Sequence, residues 1–319
     1  MNSKRVQILS VGSSVPEAVL TNKDIESFLD TSDEWITVRT GIKQRHIIPK
    51  GEDISAADLG TQAASQALKK ADIEPQDVDG IVCATFTPDY FFPSTACRIQ
   101  AALGCKGGFA FDISAACAGF VYALTVANNM ILCGQAKTMI VVGSEIISKT
   151  LDWTDRNSCI LFGDGAGAVV LQAKDDLSKG IMASHIESDG NLGDILKLPA
   201  WGDKRFMQMR GNEVFKHAVR LMSDTSARVI KQTGIGINDI DLLIPHQANI
   251  RIIRAVADSL GFPMEKIIVN LDEYGNTSSA SIPIALNEAW DDGLIKEGAK
   301  VLFTCLGGGV TVGSALVYF

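Results

Sequence analysis

Apolar and polar positions along the chain follow two periodicities that divide it into helices and strands. The segments AADLGTQAASQALKKA (56–71) and EVFKHAVRLMSDTSARVIKQT (213–233) repeat apolar residues at the spacing of an amphipathic helix. The runs TMIVVGS (138–144) and KVLFTCL (300–306) are almost continuously apolar, which is typical of strands covered on both faces by helices. This alternation of helices and strands predicts an α/β architecture.

The chain also contains an internal duplication. The segment KKADIEPQDVDGIVCATF, from Lys69, aligns with KQTGIGINDIDLLIPHQA, from Lys231, at an offset of 162 residues. AGFVYAL aligns with ASIPIAL at the same offset, and AKTMIVVGSE aligns with AKVLFTCLGG at an offset of 163. Three segments in the same order predict two duplicated α/β halves, residues 1–173 and 174–319, that meet at the polar, glycine-ended stretch AKDDLSKG.

Composition and charge limit the class of protein. The 319 residues are 46% hydrophobic and 21% charged, as in a compact protein with a large core. A net charge of −8 argues against general nucleic-acid binding, which depends on many cations. The seven cysteines contain no CxxC spacing and favour a reducing cytoplasm. The first apolar run is interrupted by polar residues, which predicts a strand rather than a signal peptide, and no run approaches the ~18 apolar residues of a membrane span.

One cysteine, Cys117, lies among small residues where an apolar strand gives way to a predicted helix, in GFAFDISAACAGFVYAL (108–124). A lone cysteine is more often a small buried core residue than a nucleophile. A position in the first turn of a helix, however, would lower the thiol pKa through the positive end of the helix dipole. The small neighbours would also leave room for a substrate, so Cys117 is a candidate nucleophile.

Two further loops carry candidate residues. His246 follows the predicted strand IDLLI, at a place where loops of α/β folds carry function, whereas the other three histidines show no metal-ligand spacing and are interpreted as structural. Asn276 lies in EYGNTSSASIPIAL (273–286), the counterpart of the Cys117 loop in the duplication. The alternative for this second loop is an ordinary turn in which Thr277 or Ser278 caps the next helix.

Two glycine-rich runs are candidate ligand-binding loops. LFGDGAGAVVLQ (161–172) leads into a strand, whereas a dinucleotide fingerprint must lead into a helix, so we reject a nucleotide site there. LGGGVTVGSALVYF (306–319) contains three consecutive glycines that could present a backbone N–H to a developing oxyanion.

Taken together, the motifs resemble those of the β-ketoacyl-[acyl-carrier-protein] synthase III enzymes of the thiolase superfamily. The resemblance covers essentially the whole chain and rests on TSDEWITVRTGIKQRH, FPSTACRIQAALG, DISAACAGF, DRNSCILFGDGAGA, GNEVFKHAV, HQANIRII, YGNTSSASIP and GGGVTVGSAL. It implies a five-layer αβαβα fold and a decarboxylating condensation of an acyl-coenzyme A primer, acetyl-coenzyme A being the expected one, with malonyl-acyl carrier protein. It implies neither a metal nor a redox cofactor.

The resemblance also implies roles for individual residues. The catalytic set would be Cys117, His246 and Asn276, with the backbone N–H groups of Cys117 and Gly308 as the oxyanion hole. Elongating synthases carry a second histidine in place of Asn276, so the asparagine indicates the initiating branch. The residues expected to bind coenzyme A are Trp35, Arg39, Arg156, Asn212, Phe215 and Asn249. Those expected to bind the carrier protein are Lys216, Arg251 and Arg254.

Three further features concern the partner subunit, the docking of the carrier protein and the acyl pocket. Phe92 resembles the residue that reaches the acyl pocket of a partner subunit, so a homodimer is expected. Asp258 and Ser259 stand where many relatives carry two lysines, which changes the expected docking of the acidic carrier protein. Val310 and Val312 replace bulkier aromatic residues, which implies an acyl pocket of different width.

Three alternative functions stay open at this point. A condensing enzyme of secondary metabolism would use the same three residues on another acceptor. A non-catalytic protein that binds acyl-coenzyme A or carrier protein would not need all three. A Cys-His-Asn hydrolase is disfavoured because the motifs match no papain-like signature.

Overall fold

The structure, a computed structural model, describes residues 4–202 and 205–319. The strands are β1 (Arg5–Ser14), β2 (Val19–Thr21), β3 (Gln44–His46), β4 (Gly80–Ala84), β5 (Phe109–Ile113), β6 (Thr138–Glu145), β7 (Gly165–Lys174), β8 (Gly180–Ser188), β9 (Leu196–Lys197), β10 (Gln208–Met209), β11 (Leu242–Pro245), β12 (Lys300–Gly307) and β13 (Thr311–Tyr318). The α-helices are α1 (Asn22–Glu26), α2 (Asp33–Thr40), α3 (Ala56–Ala71), α4 (Thr95–Leu103), α5 (Gly119–Leu132), α6 (Gly211–Thr233), α7 (Ile250–Leu260), α8 (Leu271–Tyr274) and α9 (Ser281–Asp291).

The longest helices occur where the apolar periodicity predicts them. Helix α3 has the bounds of its predicted segment, and α6 begins two residues before its segment. Ser55 and Asp58 form a reciprocal capping box at the start of α3: Asp58 N–H donates to Ser55 Oγ at 3.1 Å, and Ser55 N–H donates to the Asp58 carboxylate at 2.9 Å. These two bonds pair backbone donors that the first helical turn leaves without partners.

Two sheets form the centre of the molecule. The first has the strand order β1-β7-β6-β4-β5, with β4 parallel to both β5 and β6 and the other pairs antiparallel. The second has the order β11-β12-β13-β8, with β11 and β12 parallel and the remaining pairs antiparallel. The two orders correspond strand for strand, except that no named strand of the described residues takes the place of β5 in the second sheet.

Helices separate and cover the two sheets. Helices α5 and α9 lie between them in a core to which both sheets contribute side chains. Helices α3 and α4 cover the outer face of the first sheet, while α6 and α7 cover the second. The result is helix, sheet, helix, sheet, helix, which confirms the five-layer αβαβα prediction.

The duplication extends to the backbone at the start of the two central helices. The 3-10 turns Ala116–Ala118 and Ser278–Ala280 precede α5 and α9 at an offset of 162. Each turn begins with a non-glycine residue at positive φ, +46° for Ala116 and +53° for Ser278. Strands β6 and β12 also begin 162 residues apart, so the offset of 163 inferred for that pair is too large by one. The expected division between residues 173 and 174 stays a prediction.

Within the described parts of the chain, no helix combines the length and the apolar character needed to cross a membrane.

Candidate active site

Cys117 lies in a tight turn between β5 and α5. It belongs to the 3-10 turn Ala116–Ala118 and is only 7% exposed. Helix α5 begins at Gly119, so the expectation that Cys117 lies in the first turn of that helix is wrong. The expectation of a lowered thiol pKa is also wrong, because burial raises the pKa of Cys117 to about 12. The thiol is therefore protonated at neutral pH, and it must lose its proton to act as a nucleophile.

The turn around Cys117 rests directly on the end of β12. A Cβ atom added to Gly307 would lie 2.6 Å from the Cys117 nitrogen and 2.8 Å from the Ala115 oxygen, so this approach requires glycine. Thr311, at the start of β13, donates its hydroxyl to the Ala115 carbonyl at 2.8 Å. The glycine-rich segment therefore fixes the backbone of the candidate nucleophile.

His246 follows the last residue of β11 and is held from both sides. Its backbone N–H donates to the Thr304 carbonyl at 2.8 Å. Its Nδ1 lies 2.7 Å from Ser281 Oγ, which in turn accepts the Gln247 N–H at 3.4 Å. We assign the Ser281 hydroxyl as the donor to Nδ1, which leaves the hydrogen of the neutral ring on Nε2. Burial lowers the pKa of His246 to about 3, so the ring is neutral.

Asn276 is held by its own turn and by the segment before β7. Its N–H donates to the Leu161 carbonyl at 2.8 Å, and its carbonyl accepts the Gly163 N–H at 3.1 Å. Its Oδ1 accepts the Ser278 N–H at 2.9 Å, which orients the amide so that Nδ2 is the remaining donor. The alternative in which Thr277 or Ser278 caps the next helix is wrong, because α9 begins at Ser281 after Ala280 with no side-chain cap.

The turn of residues 276–281 connects the three candidate catalytic residues. It carries Asn276; its Ser278 hydroxyl donates to Cys117 Sγ at 3.3 Å; and its Ser281 hydroxyl contacts the His246 ring. Cys117, His246 and Asn276 also line the same cavity, which has a volume of about 740 Å³. The structure thus brings together a thiol, a neutral imidazole and an amide donor from three loops.

An aromatic and cationic cluster lies at this cavity. The Trp35 ring has the guanidinium carbon of Arg39 at 4.5 Å and that of Arg156 at 5.3 Å from its centroid. Trp35 and Arg39 line the cavity, whereas Arg156 lies beside Trp35 and donates to the Asp30 carbonyl at 2.9 Å. An indole with two nearby guanidinium groups can bind a flat heterocycle and phosphate groups together.

The remaining residues expected to bind coenzyme A lie on α6 and at the start of α7. Asn212, Phe215 and Asn249 all line the cavity, as does Arg251, whose guanidinium carbon is 6.0 Å from the Phe215 ring centroid. Asn249 Oδ1 accepts the Arg251 N–H at 2.8 Å and caps α7. Its Nδ2 group is therefore the part of the amide that can contact a ligand.

Other predicted residues lie outside the cavity lining. Gly308 follows β12 and approaches the Leu196 carbonyl, and Lys216 is exposed on α6. Arg254 lines a separate groove of about 540 Å³ together with Lys43. Phe92 is 86% exposed and does not line the cavity of its own chain.

Sequence reasoning missed Ser278 and Ser281 as partners of the candidate catalytic residues. The signal available was the hydroxyl-rich run TSSAS (277–281) directly before the apolar stretch IPIAL, and all five of its residues are buried. Buried hydroxyls need hydrogen-bond partners. Which partners they take depends on two loops more than 30 residues away in sequence, which periodicity does not reveal.

Comparison with known proteins gives consistent matches along the chain. The family profile described as 3-oxoacyl-[acyl-carrier-protein (ACP)] synthase III matches residues 111–190, and the profile described as its C-terminal part matches residues 230–319. The β-ketoacyl-[acyl-carrier-protein] synthase III of Aquifex aeolicus is 48% identical over 98% of this chain and 99% of its own length. That of Xanthomonas campestris is 46% identical over 99% of this chain and 100% of its own.

Solved structures agree with this result. The crystal structure of 3-oxoacyl-[acyl-carrier-protein] synthase III from Aquifex aeolicus has a TM-score of 0.95 at 46% identity, covering 98% of this chain and 100% of that one. The priming β-ketosynthase of the R1128 polyketide pathway has a TM-score of 0.93 at 32% identity, covering 99% of this chain and 96% of that one. The expected thiolase-like fold is therefore confirmed.

Proposed function

The chain belongs to the β-ketoacyl-[acyl-carrier-protein] synthase III family, and from this premise we propose how its cavity performs the condensation. The protein is an acyltransferase of fatty-acid synthesis, as its relatives at 46–48% identity over almost the full length indicate. The alternative of a condensing enzyme of secondary metabolism is not favoured, since the polyketide enzyme is only 32% identical. The contacts of the turn 276–281 with Cys117 and His246 support the assignment of the catalytic residues most directly.

The first step transfers the primer to Cys117. The sulfur attacks the thioester carbonyl of acyl-coenzyme A, the thiol proton leaves, and coenzyme A departs as its thiol, leaving an acyl-Cys117 thioester. The Ser278 hydroxyl, which donates to Sγ, stabilises negative charge as it develops on the sulfur. The N–H groups of Cys117 and Gly308 bind the carbonyl oxygen in the tetrahedral intermediate.

The second step generates the carbon nucleophile. Malonyl-acyl carrier protein loses carbon dioxide, and the electron pair of the broken bond becomes an enolate of the remaining thioester. Nε2–H of neutral His246 and Nδ2–H of Asn276 donate to the enolate oxygen. Each such donor is typically worth about 3 to 4 kcal/mol of transition-state stabilisation. The low pKa of His246 suits this role because the ring donates a hydrogen bond without transferring its proton.

The third step joins the two groups. The enolate carbon attacks the acyl-Cys117 carbonyl, the tetrahedral intermediate collapses, and the Cys117 sulfur leaves and recovers a proton. The product is a β-ketoacyl-acyl carrier protein with two more carbons than the primer. All bonds are made and broken by side chains, backbone donors and substrates, so we propose that no metal or redox cofactor takes part.

The two half-reactions can be separated by mutation, which tests this assignment. We expect Cys117→Ala to abolish acyl transfer from coenzyme A and to retain decarboxylation of malonyl-acyl carrier protein. His246→Ala should show the reverse. The measurements are the acyl adduct on the intact protein and the release of labelled carbon dioxide. Loss of both half-reactions to the same extent in both folded variants would contradict the separate roles.

The primer is proposed to enter as its coenzyme A thioester. Trp35, with Arg39 and Arg156 near its ring, offers a stacking surface for adenine and cations for the phosphates. Asn212 and Asn249 line the same cavity, and we propose that they supply amide donors to the pantetheine arm. Acetyl-coenzyme A is the proposed primer.

An acyl carrier protein is the second partner, in keeping with the family. We propose that Lys216, Arg251 and Arg254 bind this acidic protein on the surface beside the cavity. Arg251 lines the cavity, and Arg254 lines the adjacent groove with Lys43. Lys43 is partly neutralised by an ion pair with Asp272 at 3.1 Å, so Arg254 is the stronger cation of that groove.

We propose that the protein is a cytoplasmic homodimer. Strand β5 is an edge strand, which leaves one side of its backbone available for pairing with a second copy. The nearby loop exposes three consecutive aromatic side chains, Tyr90, Phe91 and Phe92. Burial of this apolar surface against a second copy would be favourable. All seven cysteines are free, which suits a reducing compartment. Light scattering of the purified protein tests the dimer, and a monomer at micromolar concentration would contradict it.

A further inference from the structure

A buried carboxyl group that the three steps do not use lies behind the nucleophile. Glu145 is the last residue of β6 and is completely buried. The ion pairs of residues 4–202 and 205–319 do not include it, and the groups that bind it are hydroxyls and backbone amides. A carboxylate without a cation is costly to bury, so its protonation state requires an explanation.

One oxygen of Glu145 accepts hydrogen bonds from the three residues that follow β4. Its Oε2 accepts the Thr87 hydroxyl at 2.7 Å, the Thr85 hydroxyl at 3.2 Å, and the backbone N–H groups of Phe86 and Thr87 at 3.2 Å each. This oxygen therefore behaves as a pure acceptor. A proton on the carboxyl group belongs on the other oxygen.

The other oxygen of Glu145 contacts the turn that connects the catalytic residues. Ser279 Oγ lies 2.9 Å from Glu145 Oε1 and also 2.9 Å from the Ala84 carbonyl oxygen. A serine hydroxyl has one hydrogen and cannot donate fully to both acceptors. If Oε1 carries a proton, it donates to Ser279 Oγ, and the Ser279 hydroxyl donates to Ala84. The protonated carboxyl thus satisfies every group at this contact.

Ser279 is adjacent to the residue that contacts the nucleophile. Its neighbour Ser278 has φ of +53° and donates its hydroxyl to Cys117 Sγ at 3.3 Å. A Cβ on Gly143 would lie 2.3 Å from the Ser279 carbonyl oxygen, so β6 approaches this turn closely. Movement of Ser279 would consequently displace the Ser278 hydroxyl from the sulfur.

The geometry leads to one inference, which rests on Cys117 as the nucleophile. We propose that Glu145 is a positioning residue: its protonated carboxyl anchors Ser279, and thereby Ser278 against Cys117, while loss of its proton opposes formation of the thiolate. Once Glu145 is ionised, the rate of Cys117 acylation therefore increases less with pH than it would without the charge of Glu145.

The electrostatic surroundings agree with this proposal. Burial raises the pKa of Glu145 to about 7, against the effect of its hydrogen bonds, and the charge of Glu145 raises the pKa of Cys117. Cys83 of β4 is a further ionisable group near Glu145, and burial raises its pKa well above the usual value. The negative charges of Asp112 and Asp89 also raise the pKa of Cys83. Asp89 is paired with Arg98, and Asp112 accepts two N–H groups at the start of α4.

The variant Glu145→Gln tests the proposal, because glutamine copies the protonated acid: its oxygen accepts and its amide donates to Ser279. The probe is the rate of iodoacetamide reaction at Cys117, followed by mass spectrometry from pH 5.5 to pH 8.5. This rate reports on the thiolate and does not require condensation, so it remains measurable if the proposed condensation fails. We expect equal rates for wild type and variant at pH 5.5 and a variant that is about tenfold faster at pH 8.5, equivalent to one pKa unit.

The matched control is Asp164→Asn, which removes another buried carboxyl with a raised pKa that is hydrogen-bonded to Ser148 and Ile48 and not to the turn 276–281. Its rate relative to wild type should not change with pH. A ratio of Glu145→Gln to wild type that stays constant from pH 5.5 to 8.5 would overturn the proposal.

A second measurement serves if the Glu145 variant does not fold. Infrared spectra of wild-type protein labelled with ¹³C-glutamate distinguish a protonated glutamate from Asp164. We expect a labelled carboxylic-acid band at pH 6 that disappears by pH 8.5. Absence of that band at pH 6 would overturn the proposal whatever the activity of the enzyme.

Discussion

Replacing Gly307 with alanine tests whether β12 fixes the backbone of the nucleophile. The added Cβ would lie 2.6 Å from the Cys117 nitrogen and 2.9 Å from the Ala118 nitrogen, where ordinary contacts begin near 3.4 Å. The turn that carries Cys117 must therefore move by about 0.8 Å, the difference between 3.4 and 2.6 Å. The nitrogen that moves is the one proposed to donate to the oxyanion.

Both stability and rate should respond to this displacement. Overpacking of a buried site typically costs about 1 to 3 kcal/mol, which urea unfolding measures. A misplacement of about 1 Å costs on the order of 100-fold in rate, and loss of one oxyanion donor costs roughly 100- to 1,000-fold. We therefore expect single-turnover acylation of Cys117 by acetyl-coenzyme A to slow by at least about 100-fold in Gly307→Ala.

A matched glycine separates this effect from that of an added methyl group elsewhere. Gly190 has no atom within 4 Å of an added Cβ, so Gly190→Ala should acylate at the wild-type rate. The assay is rapid quenching followed by intact-protein mass spectrometry on both folded variants. Acylation of Gly307→Ala within twofold of wild type would refute the reasoning.

Four further predictions concern the substrate-binding and candidate catalytic residues. Trp35→Ala should raise KM for acetyl-coenzyme A about tenfold with little change in kcat, because the lost stacking contributes to substrate binding and not to the chemical step. Steady-state kinetics that show a reduced kcat with an unchanged KM would contradict this. Asn276→Asp should lower malonyl decarboxylation by about 100-fold or more, since a carboxylate repels the enolate, while the acyl adduct on Cys117 still forms. Ser281→Ala should lower decarboxylation about tenfold by releasing the His246 tautomer. In wild type, His246 with a pKa of about 3 should give no loss of decarboxylation between pH 7 and 5.5, whereas protonation near pH 6.5 would show as a fall in released carbon dioxide.

The periodicity of apolar residues was sufficient to predict the architecture, because burial of apolar side chains determines both that periodicity and the packing of helices on sheets. Helix α3 begins at the residue that its apolar spacing predicts, and the structure adds Ser55 as its N-cap. The duplication located the equivalent turns before α5 and α9, since both halves fold around the same central layer.

The environment of the thiol could not be predicted in the same way. The change from an apolar strand to a helical pattern predicted Cys117 in the first turn of a helix, whereas the chain forms a 3-10 turn there and the helix begins at Gly119. The raised pKa of Cys117 follows from burial by both halves, which no local segment encodes. For the same reason, the hydroxyl contacts of Ser278 and Ser281 required the tertiary structure.

The most direct test of the account is the mass of the intact protein after exposure to acyl-coenzyme A primers and then to malonyl-acyl carrier protein. We predict an acyl adduct on wild type, absent from Cys117→Ala, that malonyl-acyl carrier protein discharges as a β-ketoacyl product. If no primer gives an adduct that depends on Cys117, the assignment of this cysteine as the residue that holds the acyl group is contradicted.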